Sequence, residues 1–206
     1  AQNDSSKRWQ QILAGKLLQI QESLFKHLHH LEAQKEQSVL DPIVGFIREY
    51  FDSQYTLNAE SKLDHQAVFD YLNRPIRICG MIPNKGAKGG GPFWKREARG
   101  KTLQIIEGVE LDAKKTEHRE AIEGSTHFNP VMLVCGITNF KGEKFSLFDF
   151  RDEQRFMVSD KTLENHKIKI LEWPGLWNGG MAQWNSLFIE LPSETFHKVK
   201  TVADLI

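Results

Sequence analysis

Cysteine is scarce in this sequence: Cys79 and Cys135 are the only two in 206 residues. Two thiols cannot build the disulfide framework of a small secreted domain. Each sits in an apolar, strand-like run and is followed by glycine, so both are expected to be buried and reduced, in a cytoplasmic setting. Long hydrophobic runs are missing as well, and without about 18 consecutive apolar residues no membrane-spanning helix is expected. An excess of either charge is also lacking. Twenty-seven basic residues balance twenty-seven acidic ones, and the pI is near 7.3. This excludes the global basic footprint of a nonspecific nucleic-acid binder. The opening AQNDSSKRW carries neither an initiator Met nor a signal-peptide pattern, and it reads as a cut in a longer protein.

What is present falls into a helical segment, 1–73, and a mixed α/β part, 74–206, expected to form one compact unit. From Lys7 to Leu31 the residues Trp9, Leu13, Leu17, Ile20, Leu24, Leu28 and Leu31 recur at steps of three and four, which predicts a long amphipathic helix. Asp41 and Pro42 suit the cap and first position of a second helix running to Phe51. A third is expected to begin near Asp64 and to end before Pro75, which disfavours helical geometry at Arg74. His27, His29 and His30 lack the spacing of convergent zinc ligands, so they read as a solvated, cationic helix end and no metal is assigned.

The sequence is organised around NRPIRICGMIPNKGAKGGGPFWKREARGK. Alternation in IRICGMI predicts a strand with one buried face. Between Lys85 and Lys101 six basic residues face one acidic residue, Glu97, so an otherwise neutral protein gathers positive charge here. Gly89, Gly90 and Gly91 free the backbone to close on an anion or on a neighbouring strand. Phe93 and Trp94 then need an anchor, either the core or a planar ligand. TLQIIEG reads as a strand and DAKKTEHREAIEG as a helix or ordered loop. In STHFNP, Ser125, Thr126, His127 and Asn129 stand directly before the apolar VMLVCGIT; they serve either a capped turn or a bracket for a sugar or amide. FKGEKFSLFDF predicts a hairpin or a tightly entered strand. Trp173, Trp177 and Trp184 crowd around Gly175, Gly179 and Gly180, as core or as a binding wall, with Trp177 and Asn178 the candidates for exposure. SLFIEL closes as a strand, and a short helix is expected from Thr201.

Taken together, RPIRICGMIPNKG, GGGPFW, LQIIE, STHFNP, LVCGI, KGEKF and PGLWNGGMAQWN resemble the C-terminal part of a bacterial family known as domain of unknown function 4301. Its fuller members carry an N-terminal portion with a glycine-rich, SGxxSRM-like segment that looks like a nucleotide-sugar pyrophosphorylase. LQIIEGVEL followed by STHFNP is also distantly similar to nucleoside-diphosphate-sugar pyrophosphorylases, in which a strand of that kind precedes an asparagine that meets the sugar. The resemblance implies a mixed-sheet, nucleotidyltransferase-like α/β fold. It further implies the sugar-side half of an enzyme acting on a nucleoside triphosphate and a sugar phosphate. Glu107 and Asn129 are the positions carried over. Arg77, Lys85 and Lys88 would offset phosphate charge with Gly89, Gly90 and Gly91 beside them. Glu107, His127 and Asn129 would orient the sugar, flanked by Ser125, Thr126, Trp177 and Asn178. Magnesium would accompany the nucleotide, its protein ligands lying outside this sequence. The implied partners are a small phosphorylated ligand and the N-terminal portion of the same protein, with neither nucleic acid nor membrane. A noncatalytic glycan- or nucleotide-binding domain is the alternative.

Overall fold

The structure, a computed structural model, describes residues 2–51, 64–86, 89–97 and 100–196. It is mixed α/β, with a long N-terminal helix laid across a small mixed sheet. Helix α1 runs from Gln2 to Ala33, longer at both ends than its apolar period requires. Its stripe of Leu13, Leu17, Ile20, Leu24, Leu28 and Leu31 is buried, as the spacing predicts. Helix α2, Leu40–Tyr50, differs from expectation at its start. A 3-10 turn over Gln37–Val39 leads straight into it, so Asp41 lies in the first turn and Val39 holds the cap position. Asp41 therefore acts through the helix dipole, not as a cap. Helix α3, His65–Leu72, is capped by Asp64, whose carboxylate accepts from the Gln66 amide at 3.0 Å. No helix among the described residues is long and apolar enough to cross a membrane.

Strand β1, Ile76–Met81, is the centre of a three-stranded sheet. The remaining elements in chain order are β2 (Gly91–Glu97), β3 (Gly100–Ile106), α4 (Thr116–Glu123), β4 (Met132–Gly136), β5 (Met157–Leu163), β6 (His166–Glu172) and β7 (Asn185–Glu190). β4 pairs antiparallel and β7 parallel with β1, in the order β4-β1-β7. One face of β1 meets the helices: a Cβ on Gly80 would stand 3.1 Å from the Leu13 side chain, so glycine lets α1 approach the strand. The opposite face carries Arg77, Cys79 and Met81 and is covered by a second layer that includes Ile105 and Trp177. All six residues of β1 are thus buried, where alternation predicted one buried face.

That second layer combines the segment that carries Trp177 with the antiparallel hairpin β2–β3, in register from Gly91 opposite Ile106 to Glu97 opposite Gly100. β5 and β6 form a separate hairpin turned by Glu164 and Asn165, both at positive φ, the backbone that a two-residue primed turn demands. FKGEKFSLFDF is only half as expected. A turn with Gly142 at φ 81° joins the bridge Thr138–Lys144, but Leu147–Phe150 is a 3-10 helix. The helix expected from Thr201 lies outside the described residues. Of the histidines near the end of α1, His29 and His30 are exposed, as expected of a solvated helix end, whereas His27 is half-buried. His27 packs on Phe46 with ring centroids 4.8 Å apart, and burial, aided by His30, lowers its pKa.

Both cysteines are free. Cys79 is buried, and desolvation pushes its thiol up to about 12, against the pull of Arg77. Cys135, at the register position opposite Arg77, is exposed, which corrects the expectation of two buried thiols. It stands on the outer strand β4, where one flank stays open. Native protein should therefore release one thiol equivalent to a small alkylating reagent within minutes, at Cys135, and the second only on unfolding. Peptide mapping checks the site; prompt modification of Cys79 in the native state would contradict the packing.

Candidate functional site

The ends of the two parallel strands β1 and β7 and the beginning of β4 meet at one edge of the sheet. Gly80 stands opposite Met132, and Met81 beside Glu190. The chain leaving β1 consequently runs against the chain entering β4. Phe128 N donates to Ile82 O (3.0 Å), Asn84 N to Thr126 O (2.9 Å), and Pro83 bridges His127. This is the place where α/β sheets commonly seat ligands. A cleft of ≈ 640 Å³ opens there. One wall is the hairpin, with Pro92, Phe93, Trp94 and Leu103. The other is Ser125, Thr126 and His127 with Phe188 and Glu190 from β7, and Gly124 closes the end of α4. Trp94 is 48% exposed, so its indole is held by the hairpin without being absorbed into the core.

His127 joins two polar groups. Nε2 lies 2.9 Å from Glu190 Oε2 and Nδ1 lies 2.8 Å from Thr126 Oγ1. With Nε2–H donating to the carboxylate, Nδ1 accepts from the threonine hydroxyl, which fixes the ring plane. Ser125 Oγ donates to His127 O (3.2 Å) and keeps the turn tight. The cleft wall is therefore preorganised by its own hydrogen bonds, with one imidazole, one carboxylate and two hydroxyls beside an aromatic surface.

Asn129 and Glu107 are brought together but not into the cleft lining. Asn129 Nδ2 donates to Glu107 Oε1 at 3.0 Å, while the amide oxygen is buried without a hydrogen-bond partner. A Cβ on Gly90 would stand 2.7 Å from that oxygen and 2.8 Å from Glu107 Cα, and would also run into the Ile106 carbonyl. One on Gly91 would stand 2.6 Å from His127 O. The glycines thus close the backbone on neighbouring chain, the second of the two uses their sequence allowed. Gly89, at φ 155°, rests on the Phe128 ring. Lys85 is exposed at the loop, and Lys88 lies outside the described residues.

Arg77 is far from solvent, 2% exposed, and donates from Nε to Ser186 Oγ at 2.7 Å. Burial draws its pKa below the ordinary value. It ties β1 to the neighbouring strand β7 and does not line the cleft. Asn178 is buried too. Its Oδ1 accepts from Gly175 N (2.7 Å) and its Nδ2 donates to Arg155 O (3.3 Å), while Trp177 packs against Cys79 and Met81. The exposed tryptophans are Trp94 and Trp173. Glu190 went unnoticed in the sequence; only the parallel pairing of β7 with β1, more than a hundred residues apart, brings it to His127. Among the described residues no group of three or more His, Cys, Asp or Glu side chains is placed to hold a metal ion.

Comparison with known proteins gives three findings. A family profile described as "Domain of unknown function (DUF4301)" matches residues 1–206. No curated protein matches. Among solved structures, the chain is similar to UDP-glucose pyrophosphorylase from Leishmania major in the crystal structures of two mutant enzymes. One, in complex with UDP-Glc, has 15% identity and a TM-score of 0.40, over 82% of this chain and 40% of that one. The other, in complex with UDP-glucose, has 14% identity and a TM-score of 0.38, over 81% and 39%. The chain spans about two fifths of the length of these structures.

Proposed function

The chain belongs to the family described as domain of unknown function 4301, and on the chemistry of the cleft we propose that it forms the sugar-side half of a nucleotidyltransferase-like enzyme. In this reading the cleft holds a sugar phosphate, whose phosphate oxygen attacks the α-phosphorus of a nucleoside triphosphate and displaces pyrophosphate. The observation that carries the reading is the pairing of an exposed indole, Trp94, with the Thr126–His127–Glu190 chain across the same cleft. An aromatic face covers the apolar side of a sugar ring, and neighbouring donors and acceptors order its hydroxyls. Such a reaction needs positioning and charge more than covalent chemistry. Lys85 and Lys88 supply positive charge on the loop beyond β1, and magnesium comes with the nucleotide. The nucleotide side falls to the N-terminal portion of the same protein, and two free thiols suit a cytoplasmic setting.

Titration calorimetry with glucose 1-phosphate tests the proposal on the protein that includes the N-terminal portion. Trp94→Ala and Glu190→Gln should each weaken binding about tenfold, equivalent to about 1.4 kcal/mol, with little change in melting temperature because both side chains are partly or largely exposed. Unchanged affinity in both variants would remove the cleft from the function. The alternative, a noncatalytic glycan- or nucleotide-binding domain, is favoured by the engagement of both His127 ring nitrogens, with Thr126 and Glu190, in a wall suited to recognition. Under that reading glucose 1-phosphate binds equally well to this chain alone, and no pyrophosphate forms with any triphosphate.

A further inference from the structure

Most of the large apolar side chains that stand exposed among the described residues lie between Leu147 and Leu176, on and beside the β5–β6 hairpin. The two strands pack chiefly on each other, and a two-stranded hairpin without further cover is marginally stable at best in water. Its faces differ. On one, Met157, Ser159, Ile168 and Glu172 are half-buried, and Ser159 Oγ donates to Glu172 Oε1 at 2.6 Å. On the other, Val158 stands opposite Leu171 and Asp160 opposite Lys169. Strand alternation brings Phe156 and Trp173, two residues further on, to the same side. Phe156, Val158, Leu171 and Trp173 are each more than half exposed, and apolar groups gathered in this way on a surface mark an interaction site.

We infer that this face is the contact between two copies of the chain. The charges select the partner. Beyond the apolar quartet, toward the turn, Lys169 Nζ lies 2.8 Å from Asp160 Oδ1, and both side chains are largely exposed. A surface of single charge, such as a nucleic-acid backbone or an acidic membrane, would repel one member of that pair. A second copy complements both. A two-fold axis that runs along the hairpin, midway between its strands and above the open face, lays β5 of one copy over β6 of the other. Because the register sets these residues directly opposite one another, Val158 then meets the partner's Leu171, Phe156 the partner's Trp173, and Asp160 the partner's Lys169. The four charges alternate in sign around the axis, and none of them faces its like. Two hairpins stacked in this way give each other the cover that a lone hairpin lacks. The contact is separate from the sugar phosphate cleft and stands whether or not that reading holds.

Sedimentation equilibrium of the chain, and of the protein that includes the N-terminal portion, provides the test. Both should dimerise as concentration rises. Leu171→Asp should weaken the dimer tenfold or more, with little change in melting temperature because the side chain is half exposed. The charges give the sharper test. Asp160→Lys and Lys169→Asp should each weaken self-association tenfold or more, since like charges then face each other across the axis. An equimolar mixture of the two variants should nevertheless dimerise as the parent does, because every acid again meets a base, and so should the variant that carries both substitutions. An exposed pair of this kind contributes little to folding, so the charge variants should melt with the parent and stay readable. The inference falls if the chain is monomeric at every concentration up to its solubility limit, if dimerisation ignores Leu171→Asp, or if the mixture associates no better than its components. It falls equally if the chain dimerises while the longer protein stays monomeric, which would show that the N-terminal portion covers the hairpin.

Discussion

Glu110→Ala should destabilise the protein by about 3–5 kcal/mol, the loss expected when one member of a buried ion pair is removed. Arg155 holds Glu110 through two bonds, Nε at 2.8 Å and Nη2 at 2.7 Å, and Nη2 also donates to Ile105 O at 2.9 Å. The side chains are only 9% and 15% exposed, so water does little to screen the pair or to replace it. Glu110 has a second task, since its Oε1 accepts from Glu107 N at 3.2 Å and closes a capping box around the 3-10 turn at Gly108–Glu110. Alanine leaves a guanidinium buried without its counter-charge and an amide without its cap. The double variant Glu110→Met with Arg155→Met should recover most of the loss, because it removes both charges and keeps the volume. Urea denaturation of the three proteins checks this. A loss below about 1 kcal/mol in the single variant would show that the 150s segment is free to move away from β3.

The same pair illustrates what could be read without coordinates. Periodicity is local, so α1 was legible from the spacing of Leu13, Leu17, Ile20 and Leu24, and the start of α3 from Asp64 ahead of a helical run. Three features were not. The second buried face of β1 was hidden because Arg77 looks like a solvent-facing residue, and only a covering layer, with the Ser186 hydroxyl of the adjacent strand β7 as acceptor, makes its burial acceptable. Asn178 looked exposed until the turn at Gly179, φ 94°, folded its amide onto Gly175 N and Arg155 O. Glu190 and the Arg155–Glu110 pair depend on contacts 45 or more residues apart, for which no local pattern exists. PFW suggests an anchor in the core or on a planar ligand, whereas strand pairing supplies it: Trp94 is fixed opposite Leu103 and lines the cleft.

Gly90→Ala should be the most damaging single methyl in the site, costing about 3 kcal/mol, at the upper end of ordinary overpacking. The reason is the nature of the neighbours. The added Cβ would meet the Ile106 carbonyl and Glu107 Cα, both backbone atoms of the paired strand's end, and at 2.7 Å the Asn129 amide oxygen. A side chain could swing aside, but the backbone of β3 is held in register with β2 from Gly91 to Glu97. Relief would require the hairpin to lift from the 125–129 segment, and with it Trp94 from the wall that bears His127. Adding Asn129→Ala should restore only part of the stability, since it removes one of three contacts and also deletes the 3.0 Å bond to Glu107. Gly45→Ala supplies the opposite control. It lies on the exposed face of α2 with no atom within 4 Å of the added methyl, and alanine there should stabilise by about 0.5–1 kcal/mol. Thermal and chemical unfolding of the two single variants should therefore move in opposite directions. If Gly90→Ala instead melts like the parent and retains glucose 1-phosphate binding, the hairpin is not seated on the Asn129 segment, and the cleft between them loses its fixed wall.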